Sequence, residues 1–447
     1  MLLFRCRQPN PLHLFSSPLI RNLTRGYLKK DARSSSACIP ACRTAGDEFA
    51  IPTFALTPRD VAEFTDELQE FQGLFHDCFP RSEPRVHFFD SMVGQLSPLE
   101  RKSIEPIALR VPGGSVRGLQ RFLSEVPWDE EHMRWTYHQL VAEEMGDPAG
   151  VLMFDETGFI KKGKDSVGVA RQYCGPLGKV ENCQVGVCAG YASRHGYALV
   201  DKRLFLPEVG WTEAYAARRT RCNVPDALTL QSKPQLAAAM LEAMAHEGLL
   251  PFRYIVADCL DGTSPTLLDA VDACVGRTAL VAISSETCCW LQRPRTEEKR
   301  YRYKGEARAK RIVVDADSPP SMVATVAARL PASSWYRRQV SAETKGPIAY
   351  EFARQRVTLC KDGLPDRTVW LVIKRSLGPE PSYAYAINHA PASTPLSTFV
   401  WLSGLRWAIE QGFEEGKTEL GMDHYEVRKY AGWHHHILTT MLAHFFL

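Results

Sequence analysis

Two aspartates stand directly after short apolar runs that have the length of buried strands. Asp155 follows residues 151–154, and Asp258 follows residues 254–257. A carboxylate at the end of a buried strand is costly without a metal ion or a cation beside it, and hard divalent metals take oxygen ligands from separate elements. Both aspartates also begin good turn sequences, so turn capping competes with metal binding as the explanation for each.

A second interpretation of the first segment is a phosphate-binding P-loop, because residues 158–164 read G-x-x-x-x-G-K. A P-loop also requires serine or threonine at the next position and a helix that begins there. The next residue is Asp165, and residues 166–173 alternate between apolar and polar side chains like a strand. The sequence therefore argues against a nucleotide-binding loop.

A third acid lies on a helix predicted for residues 399–420. Arg406 and Glu410 are one turn apart there, and Lys417 lies two turns further along. At about 3.6 residues per turn, all three side chains fall at one edge of the apolar stripe. A ladder of surface ion pairs would explain them. An acid between two cations at the rim of a buried face also suits a site that binds a metal ion and a phosphate.

Together the three motifs resemble the transposases of bacterial insertion sequences, which are of the DDE superfamily endonuclease type. The matching segments are FDETGFIKKGKDSVGVARQYCGPLGKVENCQVGV, VADCLDGTSP and RWAIEQGFEEGKTELGMDHYEVR. The pattern R-x3-E-x6-K in the third segment is the signature of one large branch. Ser403 stands where that branch usually has a tyrosine, three residues before the arginine. The resemblance extends over about residues 60–447.

The resemblance implies an α/β fold: a ribonuclease-H-like mixed sheet flanked by helices, with a β-rich insertion before the last catalytic helix and an N-terminal helical domain. It implies that Asp155, Asp258 and Glu410 are the catalytic acids and bind two Mg²⁺ ions, for which Mn²⁺ can substitute. The implied activity is metal-dependent cleavage of phosphodiester bonds at transposon ends, followed by strand transfer into target DNA. The alternatives are a catalytically dead DNA-binding remnant and a nuclease of the same fold without strand transfer.

The implied partners are the terminal inverted repeats and the target DNA, bound by a homodimer in the nucleoid of a bacterial cytoplasm. The densest cationic segment, residues 293–311, has tyrosines interleaved, and such cations neutralise phosphates while aromatic rings stack on bases. A solvated basic loop is the alternative. The candidate DNA contacts are Lys161, Lys162, Arg300, Arg302, Lys304, Arg308, Arg406 and Lys417.

The composition argues against several other classes of protein. No apolar stretch approaches the roughly 18 residues of a membrane helix. The 13 cysteines include no C-x-x-C pair, which argues against a disulfide framework or a zinc site and favours a reducing compartment. The net charge of +3 is small, so affinity for nucleic acid must come from local clusters of cations.

Changes of pattern divide the 447 residues into five parts. Residues 1–47 are basic and serine-rich, and we interpret them as a disordered or mis-assigned leader, with a transit peptide as the alternative. The remaining parts are a helical DNA-binding domain (48–150), the first part of the catalytic core (151–284), the β-rich insertion (285–395) and the last helices of the core (396–447). The final apolar helix has no C-terminal cap, which predicts a truncated end.

Overall fold

The computed structural model describes residues 58–257, 262–304, 306–314, 319–343 and 346–447. Asp258, one of the three predicted catalytic acids, lies outside these described residues.

From residue 58 onwards the N-terminal part is helical, whereas residues 48–57 of the predicted helical domain (48–150) lie outside the described residues. The helices are α1 (Pro58–Gly73), α2 (Ser82–Leu96), α3 (Ile104–Arg110), α4 (Val116–Ser124) and α5 (Glu130–Met145). The first residues of α4 and α5 are fixed by capping: Ser115 Oγ accepts the N–H of Gly118, and Asp129 Oδ1 accepts the N–H of His132. Aromatic side chains, among them Phe79, fill the space between these helices.

The central sheet is mixed. Its core strands are β1 (Val151–Ile160), β2 (Ala170–Cys174), β3 (Lys179–Ser193), β4 (Gly196–Phe205), β5 (Tyr254–Ala257) and β6 (Thr278–Ile283). Across the sheet the order is β6-β5-β1-β3, and β3 carries both β4 and β2 on its outer edge. The strands β1, β5 and β6 are parallel, whereas β3 is antiparallel to its neighbours.

The first strand is longer than the sequence predicts. We expected it to end at Phe154, before a turn, but β1 continues through Asp155 to Ile160. The continuation is possible because the long strand β3 pairs with β1 along its whole length. Pairing with β5 does end at Phe154, which lies opposite Ala257. Asp155 therefore lies inside β1, at the point where the parallel ladder stops.

Strands from residues 285–395 extend the same sheet. They are β7 (Cys288–Trp290), β10 (Ser321–Met322), β11 (Tyr336–Glu343), β12 (Gly346–Lys361), β13 (Leu364–Ser376) and β14 (Tyr383–Asn388). The junction is the antiparallel pair of β14 with β6. Two further strands, β8 (Thr296–Tyr303) and β9 (Glu306–Val313), form a separate hairpin. The segment is β-rich as expected, and the proposed domain boundaries stay a prediction.

Helices cover both faces of the sheet, which confirms the expected α/β architecture. They are α6 (Glu208–Trp211), α7 (Ala216–Arg221), α8 (Lys233–Glu247), α9 (Pro265–Ala273), α10 (Val323–Ala328), α11 (Leu396–Thr418) and α12 (Tyr430–Phe446). Both α11 and α12 contact β4, and α8 packs on β3 and β4 and against α9. Within the described residues, no helix has the length and apolar character needed to cross a membrane.

Candidate active site

Asp155 points to the face of the sheet that Met153 and Thr157 share, because side chains alternate along a strand. Its side chain is buried, with the residue 8% exposed, and its Oδ1 accepts the backbone N–H of Glu156 at 2.7 Å. Glu156 points to the opposite face, where its carboxylate lies 2.5 Å from the Lys233 ammonium at the start of α8. The two adjacent acids of the motif are therefore in different environments.

Helix α11 lies on the same face as Asp155 and runs in the direction of β1. Near its start, the ring of Trp401 packs edge-on against Tyr254, 4.9 Å away, beside the first residue of β1. At the middle of α11, the side chain of Ile409 lies over Gly190 of β3. A Cβ atom on Gly190 would be 3.4 Å from Ile409 Cδ1 and 3.3 Å from Met153 Cε. Since Gly190 pairs with Met153, this contact fixes the height of the helix along β1.

Glu410 follows Ile409 and thus lies at the height of residues 153–155. Its side chain is 54% exposed, and its Oε1 accepts a hydrogen bond from Arg406 Nη2 at 2.9 Å. The two residues are one helical turn apart, as predicted from the sequence, and their side chains form an ion pair. The structure therefore brings Asp155 and Glu410 to one face of the sheet, one buried in the strand and the other at the solvent rim of the helix.

Lys417 ties the end of α11 to β1. Its Nζ donates to Thr157 Oγ1 at 2.6 Å and to the Gly158 carbonyl at 3.1 Å. Burial lowers the pKa of the Lys417 ammonium. We predicted this cation to contact DNA, and in the free protein two of its three N–H groups are held by the strand that carries Asp155. Thr157 was not among the residues predicted from the sequence, although it lies on the same face of β1 as Asp155.

The oxygen chemistry of the two described acids fits a hard divalent cation such as Mg²⁺, which prefers carboxylate ligands. Within the described residues, no group of three metal-binding side chains comes together. Asp155 and Glu410 thus need a further donor. Asp258, which lies outside the described residues, directly follows Ala257, the partner of Phe154 in the parallel ladder.

Lys161 and Lys162 line a cavity of about 810 Å³ beyond the end of β1. Lys161 Nζ donates to the Tyr425 carbonyl at 3.0 Å and lies 3.4 Å from the centre of the Tyr425 ring. Burial lowers the pKa of Lys161 to about 8. Lys162 is exposed. Other lining residues carry both signs of charge: Arg101, Arg428, Asp165, Asp423 and Glu426. No helix follows the glycine-lysine turn, since the next element is β2, as the sequence suggested.

The remaining cationic candidates lie on the β8–β9 hairpin, on a sheet separate from that of Asp155. Arg300 and Arg302 point to one face, opposite alanines of β9, whereas Arg308 lies on the other face opposite Tyr301. Lys304 adopts a left-handed conformation at the turn, with φ of 50°. All four cations are exposed. The hairpin is therefore a basic arm, distinct from the group formed by β1 and α11.

Comparison with known proteins agrees with this architecture. The sequence profile of the DDE superfamily endonucleases matches residues 74–347, a segment that contains positions 155 and 258 and ends before Glu410. The chain is similar to the probable transposase for insertion sequence element IS701 of Microchaete diplosiphon, with 26% identity over 373 residues, or 83% of this chain and 85% of the relative. The profile match covers more than half of the sequence, and the chain belongs to the DDE superfamily endonuclease family.

Proposed function

We propose that this chain is a DNA transposase that cleaves phosphodiester bonds at the ends of an insertion sequence and joins the freed ends to target DNA. The observation that supports the proposal is that α11, through Ile409, packs on the face of the sheet to which Asp155 points, so that Glu410 lies at a similar height along β1. The similarity to a probable transposase over most of both chains supports the same activity.

Asp155, Asp258 and Glu410 are the proposed ligands of two Mg²⁺ ions, with Mn²⁺ as a substitute. When bound, such ions supply an activated water nucleophile and stabilise the leaving oxygen. The side chains beside the acids would position the DNA phosphates. Arg406 lies within reach of any phosphate held beside Glu410, because its Nη2 is 2.9 Å from that carboxylate. Lys417 keeps one N–H for a phosphate oxygen while Thr157 and Gly158 hold the other two.

The proposed DNA path includes the basic arm and the turn after β1. Exposed arginines on the hairpin, with Tyr301 among them, can neutralise phosphates and stack on an unpaired base. Lys161 and Lys162 would contact the backbone at the polar cavity beyond β1. The proposed partners are terminal inverted repeats and target DNA, bound by a homodimer in the nucleoid of a bacterial cell.

The test is an end-cleavage and joining assay with the full chain. A labelled duplex taken from the inverted repeat that flanks the coding sequence is incubated with protein, a supercoiled target plasmid, and Mg²⁺ or Mn²⁺. Wild type should nick the repeat end and transfer the label to the plasmid. Asp155→Asn, Asp258→Asn and Glu410→Gln should each lose both reactions.

The matched control is Glu414→Gln, which removes an exposed acid of α11 one turn beyond Glu410 and should keep both reactions. Cleavage without transfer of the label would make the chain a nuclease of the same fold. Sequence-specific binding without any cleavage would make it a DNA-binding remnant. Equal nicking by wild type and Asp155→Asn would contradict the assignment of the site.

A further inference from the structure

Helices α2, α3 and α4 form a tightly packed three-helix group in the N-terminal part. The close approach of α2 to α3 requires Gly94, where a Cβ would lie 2.3 Å from Ile107 Cγ2. The approach of α2 to α4 requires Gly118, where a Cβ would lie 2.7 Å from His87 Nε2. Leu119 and Phe122 of α4 are buried in this group. The mutual position of α3 and α4 is therefore set by side-chain packing.

The turn between α3 and α4 is short and specified by its residues. Gly113 has φ of +74°, a conformation that costs a glycine little. A Cβ on Gly114 would lie 2.2 Å from the Ala108 carbonyl, so the chain there passes against the end of α3. Ser115 then caps α4 by accepting the N–H of Gly118 at 3.1 Å. Two helices joined by a short glycine-containing turn form a helix-turn-helix unit.

The exposed face of α4 carries side chains of the types that can read base edges. Arg117, Gln120 and Arg121 are exposed and lie at positions i, i+3 and i+4, on one side of the helix. Arginine pairs with guanine O6 and N7 in the major groove, and glutamine pairs with adenine N6 and N7. Arg121 is only loosely held, because its ion pair with Glu125 spans 3.8 Å between two well-exposed side chains.

The two ends of α4 differ in their surroundings. Near the C-terminal end, the Leu123 carbonyl accepts a hydrogen bond from His435 Nδ1 of α12 at 2.8 Å. Arg117 lies in the first turn of α4, Gln120 at its middle and Arg121 in its last turn, and all three side chains are exposed. A recognition helix in a helix-turn-helix protein presents residues of its N-terminal part to the bases, which are Arg117 and Gln120 in α4. Arg110, exposed in the last turn of α3, adds a cation for the adjoining phosphates.

We propose that α4 enters the major groove of duplex DNA and reads its sequence through Arg117, Gln120 and Arg121. This inference rests on the proposed function, since it names the element that would recognise the transposon end. A solvated helix face would also hold polar residues. The combination of a close-packed partner helix, a specified turn, an anchored C-terminal end and three base-reading side chains on one face distinguishes α4 from such a face.

The test is binding-site selection with the full chain in EDTA, so that metal-dependent cleavage plays no part. The probe is a duplex library with about 20 randomised base pairs, and the bound fraction is sequenced. Wild type should enrich one motif that contains guanine or adenine at contacted positions. Arg117→Ala and Gln120→Ala should each lose the preference at a different base pair and bind the wild-type motif about 10- to 100-fold more weakly. Arg329→Ala, an exposed arginine after α10, should keep the motif unchanged.

A chemical probe of the groove completes the test. Replacement of the selected guanine by 7-deazaguanine removes the N7 acceptor, and this should weaken binding of wild type but add nothing to the loss in Arg117→Ala. Enrichment of the same motif with unchanged affinity by both α4 variants would overturn the inference, and so would a wild type that enriches no motif. Loss of cleavage with an intact motif would instead contradict the proposed function and leave the inference about α4 standing.

Discussion

Lys417 offers a quantitative test of how α11 is held on β1. In the free protein its ammonium donates to Thr157 Oγ1 at 2.6 Å and to the Gly158 carbonyl at 3.1 Å, and burial lowers its pKa. A hydrogen bond that involves a charged group contributes about 1.5–3 kcal/mol to stability. Thr157→Val should therefore lower the free energy of unfolding by about that amount, since it removes the acceptor and keeps the shape of a buried side chain.

The same substitution should have a much smaller effect once the ammonium is gone. In a Lys417→Met background the hydroxyl of Thr157 has lost its charged donor, so Thr157→Val should change the free energy of unfolding by at most about 0.5 kcal/mol. The expected coupling energy between the two positions is about 1–2.5 kcal/mol, measured as a double-mutant cycle by urea denaturation. A control cycle pairs Lys417→Met with Arg329→Ala, which lies in a different element, and it should be additive.

The cycle also separates two roles for this lysine. If Lys417 holds Glu410 at the height of Asp155, then Thr157→Val should slow end cleavage together with Lys417→Met, since a misplacement of about 1 Å can cost about 100-fold in rate. If the ammonium serves only as a phosphate ligand, Thr157→Val should leave unfolding and cleavage unchanged. Additive unfolding energies, with a coupling energy below about 0.5 kcal/mol, would show that the hydrogen bond from Lys417 to Thr157 does not hold α11 on β1.

Three further predictions follow from other parts of the molecule. Burial lowers the pKa of Lys161 from 10.5 to about 8. Between about pH 8 and pH 10.5 the lysine is protonated more fully in the unfolded chain than in the folded one. The free energy of unfolding of the wild type, measured relative to that of Lys161→Met, should therefore rise with pH by up to about 1.4 kcal/mol per pH unit. A constant difference in urea titrations from pH 7 to 10 would contradict this. The double substitution Arg300→Ala with Arg302→Ala should reduce the slope of log affinity for DNA against log salt concentration by about 1.8. An unchanged slope would show that these two arginines of the basic arm do not contact DNA phosphates. Gly114→Ala should destabilise the chain by more than about 1 kcal/mol, because its Cβ would meet the Ala108 carbonyl at 2.2 Å, and an unchanged urea midpoint would contradict the close turn.

The features that local sequence determines were largely predictable. The strand from Tyr254 to Ala257 has the predicted bounds, since it is a short run rich in β-branched residues. The predicted end of β1 was wrong because the length of this strand depends on its pairing with β3. That pairing cannot be read from residues 151–160 alone. Helices α2 and α3 were not predicted individually, and α2 mixes buried polar residues such as Asp90 with its apolar ones.

The sequence proposes residues for the candidate site but does not give their arrangement. The pairing of Arg406 with Glu410 follows from helical spacing, and the structure has it. The position of Glu410 along β1, at a similar height to Asp155, depends on contacts between segments more than 200 positions apart, such as that of Ile409 with Gly190. No local sequence pattern encodes such contacts. For the same reason the sequence assigned Lys417 to DNA and did not anticipate its bonds to Thr157.

Asp155, Asp258 and Glu410 are proposed to bind a shared pair of metal ions. A crystal of the full chain grown with Mn²⁺ tests it most directly, because anomalous scattering locates Mn²⁺ independently of activity. We expect two peaks on the α11 face of β1, with carboxylate oxygens of Asp155 within about 2.0–2.3 Å of at least one ion and with Glu410 and Asp258 as the other protein ligands. Anomalous peaks that lie elsewhere, with Asp155 in contact with none of them, would contradict it.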